Sequence, residues 1–307
     1  MRRQSTVTKH NIVVLDDCFA PCAQFDFDYV ITYYSSTEPH QLPARIKDAT
    51  IIIVTDTRVT REGILGAQRL QLVAANGTGT DRIDKTALRE LGIGLCNLPA
   101  QTTESVAEHA LALYYGLRRN LVEMHAITMA GKAWATCGNT QMRFQRSKPP
   151  PRTNAEETMV VLGYGTLGKK IESLGKALGM NVLGTIFVIA APLNETTRGM
   201  MGTAELAAMD PTSLIINIGR GGIIDELALA HSLRKGEIGG AATDVYEIEP
   251  ATTANSPLLD PTIPNLLLSP HTAWYSKRSI DNVLLAQKLN LEAFVAGNMT
   301  NVVIAPR

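Results

Sequence analysis

The sequence predicts an α/β fold arranged in two domains. Three observations carry that expectation. The chain has 307 residues, 45% hydrophobic and 19% charged, which is long enough for two cores because single cores stop growing at about 250–300 residues. Short β-rich runs alternate with helix-compatible segments in both halves, as parallel strands joined by crossover helices require. A glycine-rich turn, "GYGTLG" at 163–168, stands between an apolar run and a helical one.

In the first half, "NIVVLDD", "YVITYY", "ATIIIVT", "LQLVAAN" and "IGLCNLP" read as strands, with a helix-compatible segment at 84–91. From 102 to 121, apolar residues recur at Val106, Ala110, Tyr114, Leu117 and Leu121 with Thr and Glu at the start, the spacing of an amphipathic helix. Residues 131–157 lack periodicity and contain three consecutive prolines, which exclude regular helix, so the stretch reads as a connecting spacer. A second alternation follows: "TMVVLG", a helix near 166–178, "TIFVIAA", "SLIINIG", a helix near 225–234, "GAATDV" and "NLLLSP". Ile280, Val283, Leu284, Leu291 and Phe294 then mark a last helix able to return to the first half. The expected division is 1–104 with 277–307, and 105–276.

Composition narrows the function classes. Lys plus Arg and Asp plus Glu both number 29, giving no basic surplus to follow a phosphate backbone, so nucleic acid is not an expected direct ligand. The N-terminal "MRRQSTVTKHN" lacks the apolar stretch of a secretory signal, and nowhere do 18 apolar residues run together. A cytoplasmic protein is expected. Cys18, Cys22, Cys96 and Cys137 show no metal-ligand spacing with the six histidines, and no metal site is expected.

The glycine turn has the context of a dinucleotide site. Gly163 allows a tight turn, Gly165 lets a pyrophosphate approach the backbone, and Gly168 lets helix and strand pack closely. Such a site places an acid about 20 residues further on, to hold the adenosine ribose. After Glu172 the next acid is Glu195, and no Arg or Lys lies between Lys176 and Arg198 to take a 2′-phosphate instead. Losing the carboxylate's hydrogen bonds weakens cofactor affinity by about tenfold to a hundredfold. "NVLG" and "TIFVIAA" leave no residues for a crossover, which needs about a dozen. Residues 181–190 should therefore form one strand, plain or distorted, and the sheet should lack the units that usually lie beyond its second strand.

"INIGRGGIIDELAL" (216–229), "TDVYEIEP" (243–250) and "SPHTAWYS" (269–276) follow in order, with "NGTGTDRID" (76–84) and "SVAEHALAL" (105–113) before them. Together they resemble the D-isomer-specific 2-hydroxyacid dehydrogenases over nearly the whole chain. The resemblance implies a flavodoxin-like substrate domain and a shortened Rossmann-like NAD-binding domain. It implies a catalytic Arg220, Glu249 and His271: a histidine beside a carboxylate can hold a proton for the substrate oxygen, and an arginine fork grips a carboxylate. Taken singly, these three also suit a capped loop, a solvated turn and a turn surface.

By the same resemblance Gly163, Gly165, Thr166, Leu167, Gly168, Ile218, Gly219, Arg220, Asp244 and His271 line NAD or NADP, with Asp244 at the nicotinamide carboxamide. Thr78, Gly79, Arg220 and Trp274 bind the substrate. His10, His40, His109, His125 and His231 are left as surface or packing residues. "HTAWYS" is also similar to the subgroup holding the C-terminal binding protein corepressors and the hydroxypyruvate or glycerate enzymes. The implied protein is a homodimeric NAD(P)-dependent oxidoreductase acting on a small acid such as glyoxylate, hydroxypyruvate or glycerate. Two alternatives stay open: a non-catalytic, corepressor-like member, and a chain shortened at the junction after Leu183.

Overall fold

The computed structural model describes residues 9–17, 21–132 and 150–307, and only the backbone of Val182–Gly184. Cys18, Cys137 and most of the proline-bearing spacer lie outside the described residues. The chain divides into two compact units, 1–102 with 275–307, and 103–274.

In the first unit, β1 (His10–Val14), β2 (Tyr29–Tyr33), β3 (Ile51–Val54), β4 (Leu72–Ala75) and β5 (Gly94–Cys96) form a parallel sheet in the order 2-1-3-4-5, the flavodoxin-like order. The alternation of side chains sorts the core. Val13, Ile52, Val54, Val73 and Leu95 pack on one face with residues of α1 (Leu42–Ile46), α2 (Arg61–Ile64) and α3 (Lys85–Leu91). Ile12, Val14, Ile51, Ile53, Leu72 and Ala74 pack on the other with Leu291. Asp84 caps α3 through Ala87 N–H at 2.8 Å, and Gly92 ends it at φ +71°.

The second unit begins with α4 (Thr103–Arg118), α5 (Leu121–Met129), β6 (Thr158–Leu162) and α6 (Thr166–Ala177). It continues through β7 (Asn181–Ile189), α7 (Thr203–Ala207), β8 (Leu214–Asn217), α8 (Glu226–Lys235), β9 (Gly240–Thr243) and β10 (Leu266–Leu268). The helix expected over 102–121 is two helices. Asn120 at φ +50° breaks the run, and Leu121 is exposed rather than on the buried stripe. α4 and α6 cover one sheet face through Ala110, Tyr114, Leu117, Ile171, Ile186, Val188 and Ile216. α7 and α8 cover the other through Leu206, Leu229, Leu233, Ile189, Ile215 and Ala241.

The five strands run parallel in the order 6-7-8-9-10, so β6 is an edge. β7 is the single, distorted strand that the spacing requires. Asn181 aligns with Thr158, Val182–Thr185 intervene, and Ile186–Ile189 then run beside Met159–Leu162. One detail of the expectation needs correcting. In the doubly wound order 3-2-1-4-5-6 the first strand has neighbours on both sides, whereas here no described strand flanks β6 on its outer side. Among the described residues both outer strands are missing, the second included, because the chain leaving α6 enters the sheet between β6 and β8.

Two further elements complete the first unit. α9 (Lys277–Val295) is capped by Ser276, and its Leu284, Leu291 and Phe294 join the core. β11 (Val302–Ile304) adds an antiparallel edge strand beside β5, which the short apolar run "NVVIAP" did not signal.

Candidate active site

The site in the 103–274 unit stands at the carboxyl ends of its parallel strands, where ligands bind in open α/β sheets. Each motif follows a strand directly: the glycine turn after β6, Arg220 after β8, Asp244 after β9 and His271 after β10.

The three glycines divide their work as their positions demand. Gly163 adopts φ +103°, and a Cβ there would lie 2.7 Å from Ala190 C and Ala191 N. At Gly168 a Cβ would lie 2.0 Å from Gly163 O, so only glycine lets α6 pack on the turn. Gly165 differs, because nothing lies within 4 Å of its would-be Cβ. It is the extended N-cap of the twelve-residue α6 and supplies no side-chain cap. Exposed Thr166 and half-buried Leu167 follow it. Open space over helix N–H groups is what a pyrophosphate needs, so the residues present fit a dinucleotide's phosphates.

Arg220 is carried on a loop that buried Asn217 fixes. Asn217 Oδ1 accepts from Gly219 N–H at 3.1 Å, and its Nδ2 donates to Arg220 O at 2.9 Å. Ile218 is buried, and a Cβ on Gly219 would lie 2.7 Å from Ala191 O. At Gly221 a Cβ would fall 1.8 Å from Tyr246 O, so this loop presses on the one that leads to Glu249. Half-buried Arg220 donates from Nη1 to Gly219 O at 3.0 Å.

Glu249 and His271 meet directly. His271 Nδ1 lies 2.8 Å from Glu249 Oε2, while Glu249 Oε1 accepts from Tyr246 N–H at 2.9 Å. The glutamate side chain is 13% exposed and that of the histidine 40%. The pairing occupies Nδ1 and leaves Nε2 as the nitrogen able to exchange a proton. Tyr246 donates from its hydroxyl to Ser269 O at 3.1 Å. Burial first, then the nearby charges of Asp244, Glu226 and Glu249, push that phenol up to about 12, which keeps it a donor.

Asp244 is 1% exposed, and its carboxylate holds the histidine loop. Oδ1 accepts from Ser269 Oγ at 2.7 Å and Thr272 N–H at 2.9 Å, and Oδ2 accepts from Ala273 N–H at 2.9 Å. Its carbonyl accepts from His271 N–H at 2.8 Å. His109 Nε2 lies 2.9 Å from Ser269 Oγ, so this histidine buttresses the loop rather than only packing. Trp274 is half-buried at the end of the same loop. Asn217, Glu226, Ser269 and His109 were missed in the sequence, because their partners are brought to them only by the sheet. Glu226, for example, fixes the Glu249 loop by accepting from Glu247 N–H at 2.8 Å and Ser256 Oγ at 2.5 Å.

In the other unit, exposed Thr78 and Gly79 follow β4. Thr78 Oγ1 donates to Leu98 O at 3.0 Å and its carbonyl accepts from Asn97 Nδ2 at 2.8 Å. Among the described residues no cluster of His, Cys, Asp and Glu could hold a metal ion, and no helix is long and apolar enough to cross a membrane.

A parallel sheet bearing a glycine turn and a carboxylate-backed histidine at one edge defines a dinucleotide-dependent oxidoreductase. The chain belongs to the D-isomer specific 2-hydroxyacid dehydrogenase family. Residues 184–273 match the model of that family's NAD binding domain. Glycerate dehydrogenase of Methylorubrum extorquens is 33% identical, covering 93% of this chain and 96% of that protein. Glyoxylate reductase of Aeropyrum pernix is 31% identical, covering 83% and 82%. The fold matches NAD-dependent formate dehydrogenase from Staphylococcus aureus in complex with NAD at a TM-score of 0.80, 21% identity, covering 97% of this chain and all of that one. By family, the chain is an NAD(P)-dependent oxidoreductase acting on the CH–OH group of a small 2-hydroxy acid.

Proposed function

We propose that this chain interconverts a small 2-oxo acid and its D-2-hydroxy acid, of the glycerate, hydroxypyruvate or glyoxylate class, with NAD or NADP. The observation that carries the reading is the 2.8 Å contact between His271 Nδ1 and Glu249 Oε2 at the carboxyl edge of the sheet. The names of the relatives from Methylorubrum extorquens and Aeropyrum pernix support the substrate class.

Bound nicotinamide supplies or takes up the hydride at substrate C2. The protein's own groups do the rest. His271 Nε2 gives a proton to the carbonyl oxygen, or removes it from the hydroxyl, while Glu249 fixes the ring and balances its charge. Arg220 presents a planar pair of donors to the substrate carboxylate. Thr78 and Gly79 are assigned to the same acid through their backbone, and Trp274 to its non-reacting part. Gly163, Gly165, Thr166, Leu167 and Gly168 are assigned to the pyrophosphate, Ile218, Gly219 and Arg220 to the length of the cofactor, and Asp244 and His271 to its nicotinamide end. A homodimer working in the cytoplasm is part of the same reading.

The test is a fluorescence titration of the purified chain with NADH and NADPH, with hydroxypyruvate present to report turnover. Binding with oxidation of the cofactor is the expected result. A second reading, a non-catalytic member of the family, is favoured by the absence of outer strands beside β6 among the described residues. A folded chain that binds neither cofactor would establish it instead.

A further inference from the structure

The open side of β6 is where a dinucleotide site normally recognises its adenosine ribose, through an acid at the end of the neighbouring strand. Here that neighbour is missing among the described residues, because β7 enters the sheet on the opposite side of β6. The absence is therefore not of one carboxylate but of the strand that would carry it.

Among the described residues the flank itself offers no replacement. Met159, Val161, Glu172, Lys176 and Asn181 line the shallow hollow between β6 and α6. Glu172 is the acid of this flank, and its carboxylate is engaged on both oxygens. Oε2 accepts from Tyr164 Oη at 2.6 Å and Oε1 from Lys176 Nζ at 2.6 Å. Its carboxyl is held below the usual range by those two bonds, Lys176 first. A carboxylate so occupied has no reason to turn to a ribose diol. The pyrophosphate position, in contrast, is intact: Gly165 opens onto free space at the head of α6.

We infer that this chain holds its cofactor by the phosphate and nicotinamide portions and leaves the adenosine portion unrecognised. This rests on the cofactor assignment made above and goes beyond it in naming what the site selects. Two consequences follow. NADH and NADPH differ only at the ribose, which no described residue on this flank reads, so they bind alike. Reduced nicotinamide hypoxanthine dinucleotide, which keeps both phosphates and changes the adenine base, binds nearly as well as NADH.

Isothermal titration of the full chain with NADH, NADPH and reduced nicotinamide hypoxanthine dinucleotide, without substrate, measures this directly. The expected dissociation constants lie within about tenfold of one another. Gly165→Val, placed where only a ligand would meet the new side chain, is expected to remove binding of all three while thermal unfolding stays unchanged. A preference above about tenfold for either NADH or NADPH, or hypoxanthine dinucleotide binding weaker than NADH by more than that, overturns the inference and leaves the cofactor assignment standing. So does binding of any of the three that survives Gly165→Val. Binding of none of the three by a chain that circular dichroism shows to be folded overturns the cofactor assignment, and the inference with it.

Discussion

His271 Nδ1 sits 2.8 Å from Glu249 Oε2, and His271 itself stands at φ +54°. Left-handed backbone is strained for a residue other than glycine, by about 1–3 kcal/mol. The bond from His271 N–H to Asp244 O and the two N–H bonds that Thr272 and Ala273 donate to the Asp244 side chain hold it there. The loop is thus fixed by its backbone before the ring meets its carboxylate.

His271→Gln is expected to lower kcat by about 10²–10⁴-fold, the usual worth of a general acid–base group, with NADH affinity within a few-fold of the parent. Glu249→Gln should reduce kcat in the same direction by a smaller factor. Steady-state kinetics beside a cofactor titration separates the two quantities. Affinity falling in step with turnover would contradict this division of roles.

Asp244→Ala removes the acceptor of the Thr272 and Ala273 N–H groups, the second of them buried, and of Ser269 Oγ. Each orphaned donor costs about 1–3 kcal/mol, so the unfolding midpoint should drop by several degrees and turnover should fall with it. Thermal denaturation of the variant gives the first, and an unchanged midpoint would exclude the anchoring role.

Gly165→Val and Gly168→Ala form an opposed pair. A Cβ at the first position has nothing within 4 Å, whereas the second places a Cβ 2.0 Å from Gly163 O. Overpacking of this kind costs about 1–3 kcal/mol or more. Stability measured by urea titration should therefore fall for Gly168→Ala alone, and cofactor binding should be lost in both.

Glu157 is fully buried and paired with Arg118, itself 10% exposed, and it also accepts from Thr185 Oγ1 at 2.7 Å. The pair ties α4 to the start of β6 and to the distorted part of β7. Glu157→Ala strands a buried guanidinium, at a cost of about 3–5 kcal/mol. Equilibrium unfolding tests this, and a loss under about 1 kcal/mol would show the pair to be dispensable.

Burial pushes the Cys22 thiol up to about 11 and that of Cys96 up to about 12. Both lie above ambient pH, so the protonated, unreactive form prevails from pH 7 to 9 and the thiolate grows only above that range. Residue-resolved mass spectrometry after iodoacetamide treatment at pH 8 should find both unmodified in the folded chain. Rapid labelling of Cys96 under these conditions would contradict its burial.

Much of this architecture is legible in the sequence because the decisive features are local. The strand runs are short and β-branched, Asp84 and Gly92 bracket a helix by their own chemistry, and the glycine turn carries its function in its spacing. Arg220, Glu249 and His271 stand out as candidates by order and type, and the last two are paired. Asn217, Ser269, Glu226 and His109 are not, because each is an ordinary residue until strands far apart in sequence bring its partner within reach. Counting residues after Leu183 shows that a crossover is missing. It cannot show on which side of β6 the next strand will stand, since that depends on which face of the sheet has helices to cover it.

The irregular stretch Val182–Thr185 has a last consequence. A strand alternates its side chains between two faces, so a join displaced by one residue turns every later side chain around. Beyond the irregularity, Ile186 and Val188 face the layer of α4 and α6, while Phe187 and Ile189 face that of α7 and α8. Asn181 aligns with Thr158 and Ile186 with Met159, so an even number of extra residues lies between the two parts of β7 and they stay in phase with the pleat. Lengthening or shortening this stretch by a single residue would exchange the layers that these four side chains serve.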